Sequence, residues 1–108
     1  MGALPAPKSS PLTREMYKIK GRVDNFISRM QKDQHFSPTR DNLDVIAEEI
    51  IDFINTYHSK AASHESHLKA AIIDLTEVPV MAPQMQRIAF LTALEDASKE
   101  IDLFISYL

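Results

Sequence analysis

Apolar residues recur along this chain at alternating steps of three and four, the spacing that lines one face of an α-helix. Met16, Ile19, Val23, Phe26 and Met30 form the first such row, with Ile27 beside it. A second row runs through Leu43, Ala47, Ile50, Ile54, Tyr57 and Ala61, widened by Ile46, Ile51 and Phe53. The last runs through Phe90, Leu94, Ala97, Ile101, Phe104 and Leu108, broadened by Met85, Ile88, Leu91 and Ile105. No stretch alternates cleanly with period two, so no strand is expected.

Proline and serine punctuate these rows. Pro5, Pro7 and Pro11, with Ser9 and Ser10, keep residues 1–12 out of regular structure, because proline fixes φ and removes a backbone donor. That stretch reads as a flexible tail. Thr13 is the expected N-cap of a first helix over 14–34, in which Gly21 costs ~1 kcal/mol against alanine. Ser37-Pro38 reads as the start of a second helix, over 38–60, since serine caps free donors and proline fits the first turn. Asp41 and Asp44 then complement the positive end of its dipole.

Between Asn42 and Val78 there is neither glycine nor proline. Ser59, Ser63 and Ser66 weaken the helix, and Ser63 is placed to cap a third one over 63–76, carried by Leu68, Ile72 and Leu75. The alternative is one unbroken helix through 41–76 with His64 in its apolar seam; the serines favour the break. Residues 77–83 form a connection with two prolines, and Pro83 suits the first turn of a last helix over 84–108. Because its apolar row reaches Leu108, the C-terminus is expected to pack.

Four helices joined by short loops make an antiparallel helical bundle of the all-α class. Each apolar face is wider than a two-stranded coiled coil needs. Residues 13–108 are accordingly read as a single helical-bundle domain.

Composition narrows the functional classes. The chain has no cysteine, which excludes disulfide frameworks and thiolate metal sites. No apolar run approaches the ~20 residues that span a bilayer, and no secretory leader is visible. A cytoplasmic protein is the expectation. The formal net charge of −3 hides an asymmetry: residues 1–36 balance at +4 and residues 37–108 at −7. That acidity argues against nucleic acid, whose phosphates demand a dense basic surface.

Three constellations carry candidate chemistry. In the basic first helix, Lys18, Arg22 and Arg29 flank a stripe containing Met16 and Met30. This is a candidate docking face for an acidic partner; on the plainer reading the stripe is core and the charges solvate the outer face. His58, His64 and His67 lie close in sequence, with His64 and His67 on one helical face. The metalloprotease pattern H-E-x-x-H is missed by one residue, so no metal is assigned. Third, Ser63-His64-Glu65 resembles the phosphoacceptor box of sensor histidine kinases. That resemblance implies His64 as phosphoryl acceptor and Glu65 as its acid–base neighbour. The basic residue and proline that follow the box in that family are missing here.

No phosphate-binding glycine loop is present, since Gly2 and Gly21 are the only glycines. No cofactor is expected. The leading expectation is a non-enzymatic interaction module of the adaptor, chaperone, immunity or assembly-factor type. It binds another protein, or itself as a homodimer, through a helical face. Met81 and Met85 join Met16 and Met30 as candidates for an adaptable apolar surface. The alternative is a histidine phosphotransfer or metal-binding helical domain centred on His64 and His67.

Overall fold

The computed structural model describes residues 11–61 and 64–108. Among them are four helices, α1 (Pro11–Lys32), α2 (Arg40–Ala61), α3 (Glu65–Thr76) and α4 (Pro83–Ser106), and no strand. Each helix packs on its successor, and α1 also packs on α4, so the neighbours close into a ring. This is the antiparallel bundle that short loops impose. Contact is most extensive between α3 and α4 and thinnest between α1 and α2.

The core is built from the rows seen in the sequence. Met16, Ile19, Val23 and Met30 come from α1, and Leu43, Ile46, Ala47, Ile50 and Phe53 from α2. Leu68, Ala71 and Leu75 enter from α3, and Phe90, Ala93, Leu94, Ala97, Ile101 and Phe104 from α4. Phe53 meets Phe104 edge to face at 5.7 Å between centroids, the geometry that aromatic quadrupoles favour.

Polar clamps fix how α1 sits on α4. Ser98 donates to Oδ1 of Asp24 at 2.9 Å, and the Lys20 ammonium bridges Asp24 and Asp102. Burial disfavours the charge on Lys20, yet these two carboxylates outweigh it and raise its pKa. At the other end, Arg87 of α4 reaches across to the C-terminus of α1. Its guanidinium donates to the carbonyls of Met30, Asp33 and Phe36 at 2.6, 3.1 and 2.9 Å. Those carbonyls lie in and just beyond the last turn of a helix, where acceptors lack intrahelical partners and the dipole favours a cation.

Several boundaries differ from the sequence reading. Helix α1 already runs at Pro11, so Pro11 and Leu12 belong to it and Thr13 lies buried within it rather than capping it. Proline is tolerated in a first helical turn, which is why it did not mark the end of a tail. The rest of the expected tail, residues 1–10, lies outside the described residues. Helix α2 starts at Arg40, two residues later than Ser37-Pro38 suggested. Thr39 and Asn42 cap it reciprocally, Thr39 N–H donating to Asn42 Oδ1 at 2.9 Å and Asn42 N–H to Thr39 Oγ1 at 3.2 Å. The break between α2 and α3 is present, and the proposed cap at Ser63 lies outside the described residues. Near the end of α2, Tyr57 departs from helical geometry at φ −115° and ψ 25°. Helix α4 stops at Ser106, leaving Leu108 exposed instead of packed.

Candidate functional site

With 12 residues, α3 spans about 18 Å, half the ~36 Å of the 24-residue α4. It therefore cannot cover α4 along its length. An irregular connecting segment, residues 77–82, takes over where α3 stops, and only Val78 of that segment is buried. The result is a groove of about 480 Å³ between the end of α3, this segment and the first half of α4.

One wall carries Ile73, Asp74 and Glu77, and the other carries Met85, Ile88, Thr92 and Asp96. On α4 these last four sit at steps of three or four, so they form one ridge. Ala89 and Ala93 lie on the same side of α4 and line the groove with little more than a methyl group each, while Val78 and Met81 close the end near the loop. Ile73, Met81, Met85 and Ile88 are all exposed, Ile88 to 58%.

Gln86 fixes the loop that borders the groove. Its Oε1 accepts from the Met81 N–H at 3.0 Å and its Nε2 donates to the Pro79 carbonyl at 3.1 Å. One side chain of α4 thus satisfies both a donor and an acceptor of a segment that has no secondary structure of its own.

The groove is electrostatically one-sided. Asp74, Glu77 and Asp96 line it, and no basic side chain is among the described residues that do. Burial raises the Asp74 carboxyl above its ordinary 3.8, and the negative charges of Asp96 and Glu100 raise it further. Asp74 and Asp96 thus face each other across the groove, while Glu77, Met81 and Met85 border it beside the loop.

The residues singled out in the sequence fall elsewhere. Met16 and Met30 are buried in the core, so the stripe they belong to faces inward. Lys18 is exposed beside Glu15, Arg22 pairs with Glu49 of α2 at 3.1 Å, and Arg29 lies over the Phe36 ring at 3.9 Å. Two of these three cations are thus engaged in holding α1 to its surroundings. Of the histidines, His64 and His67 both stack on the Tyr107 ring, at 4.0 and 5.9 Å between centroids, while His58 contacts Glu65. Nδ1 of His58 is 2.9 Å from Glu65, whose other oxygen is 3.3 Å from the Lys69 ammonium. Nδ1 of His67 is 2.9 Å from Glu100. No group of three or more potential metal ligands converges among the described residues.

The groove itself was visible in the sequence only in fragments. Met85 and Ile88 gave α4 an apolar face broader than one partner helix covers, and Val80-Met81 placed large apolar residues in a connection. The expected third helix over 63–76 is already short beside the fourth; what the sequence does not show is the stretch of α4 on which α3 sits, and so which residues it leaves uncovered. No family model matches this chain, and no curated protein or solved structure is significantly similar to it.

Proposed function

We propose that this protein is a non-enzymatic interaction module and that the groove between α3 and α4 is its docking surface. The observation that carries this reading is the joint exposure of Ile73, Met81, Met85 and Ile88 around a single groove. Single exposed apolar residues are ordinary, whereas a contiguous set bordered by charges marks a contact surface. Covering it gains about 25 cal/mol for each Å² of apolar area removed from water. Methionine suits such a wall, because its unbranched thioether side chain adapts to the shape it meets. A role as adaptor, chaperone, immunity or assembly factor fits a module of this kind.

The test is retention of a native-source partner by immobilised protein. Ile88→Glu and Met85→Glu should abolish retention without changing the melting temperature. Tyr17→Glu and Val45→Glu, exposed apolar positions outside the groove, should leave retention intact. A partner held equally well by Ile88→Glu overturns the assignment.

A further inference from the structure

We infer that the occupant of this groove is an amphipathic α-helix of a partner protein that carries lysine or arginine beside its apolar face; this rests on the groove being the docking surface. Charge complementarity argues for the cation. Three carboxylates line the groove, Glu100 follows Asp96 one turn further along α4 with His67 beside it, and no lysine or arginine is among the described residues that line the groove. Of these four carboxylates, Asp74 and Asp96 come from opposite walls, so an occupant lies between two negative charges rather than beside one. A neutral or acidic occupant would bury Asp74 further with nothing to compensate it. An ammonium or guanidinium supplies the missing counter-charge.

Shape argues for the helix. The α4 ridge from Met85 to Asp96 runs about 16 Å, or three helical turns, at 1.5 Å per residue. It lies where α3 would continue if it were as long as its neighbours. A helix in that place takes a position the bundle already has neighbours for, with Ala89 and Ala93 small enough to admit a close approach. An extended peptide would find no strand edge to pair with among the described residues. The segregation of the groove adds a polarity. The apolar anchors belong near Met81, Met85 and Ile88, and the cations at the end near Asp74 and Asp96.

Selection from a displayed library of random peptides about four helical turns long tests this against the full chain. The expected winners carry apolar residues spaced three and four apart and a net positive charge. Their affinity should fall about tenfold or more with Ile88→Glu. Asp74→Asn with Asp96→Asn should weaken binding several-fold and flatten its salt dependence. Winners that need Ile88 but are neutral or acidic overturn the cationic inference and leave the groove standing. An empty selection, or winners indifferent to Ile88→Glu, overturns the groove as well. If sedimentation shows a dimer of the chain alone that Ile88→Glu dissociates, the occupant is a second copy and the partner helix is wrong.

Discussion

Nη2 of Arg87 lies 2.6 Å from the carbonyl oxygen of Met30, tying the first half of α4 to the end of α1 across more than half of the chain. The same guanidinium also serves Asp33 and Phe36, so one side chain donates to three carbonyls at and beyond the end of α1, that of Asp33 also accepting from the Phe36 N–H. Its hydrogen bonds carry a charge on the donor, which makes them stronger than neutral ones. Because the site is only part-buried, we expect Arg87→Ala to cost about 1–2 kcal/mol in urea denaturation. Arg87→Lys should recover little of this, since a compact ammonium lacks the planar fork that reaches three carbonyls.

Leu94 and Ile88 sit six residues apart on α4, and their truncations should differ sharply. Leu94 is fully buried and contacts the shared core. Leu94→Ala removes that burial and leaves a cavity, at a cost of about 2–5 kcal/mol. Ile88→Ala should stay within about 0.5 kcal/mol of the native chain, because its side chain is exposed. Denaturant midpoints for the two variants check the contrast. An equal loss at both positions means that the groove is filled in the free protein.

Gly21 offers a stabilising change. It lies inside α1, exposed, and a Cβ built there meets nothing within 4 Å. Gly21→Ala therefore loses no packing and reduces the freedom of the unfolded chain. The expected gain is about 0.5–1 kcal/mol, read as a melting-temperature rise of a few degrees. Unchanged melting means that a side chain at this position has a neighbour in solution.

The raised pKa of Asp74 sets a pH dependence with a definite sign. Its folded value lies above the ordinary 3.8, so the fold favours the protonated form and ionisation works against folding. The penalty is fully present above the folded pKa and fades as pH falls through it toward 3.8. Asp74→Asn should therefore raise the melting temperature at neutral pH and have little effect below 3.8. Thermal melts of both proteins across that range provide the measurement.

Replacing His58, His64 and His67 together with glutamine separates the interaction reading from histidine chemistry. None of the three lines the groove. Groove binding should survive the substitution. Loss of function with the groove intact would transfer the function to His64 and its neighbours.

The regular spacing in α1, α2 and α4 made the bundle legible, because a row of steps three and four has only one face to bury. Within those rows, the buried member was less certain where two apolar residues adjoin. In α3 the core takes Leu68, Ala71 and Leu75, with Ile72 only partly buried and Ile73 turned out. Hydrophobicity does not distinguish Ile72 from Ile73; the direction from which α4 approaches does. The start of α2 was misplaced for a local reason, since Ser37 and Thr39 are equally able to cap and only Thr39 has Asn42 three residues on to answer it. The candidate surface was harder still. Met16 and Met85 look alike in sequence, and what separates them is that one faces a full-length helix and the other faces the place where a short helix has ended.

The ring of helices closes through α1 and α4, and α1 leans on α4 more than on the helix that follows it. A ribosome delivers these two elements first and last among the four helices. Met16, Ile19 and Val23 reach their principal cover only once the segment beyond Pro83 has been made, since domains assemble as units while synthesis runs from the N-terminus. Until the segment beyond Pro83 has been made, the apolar row of α1 waits without its main partner, and half of a hydrophobic seam stays open.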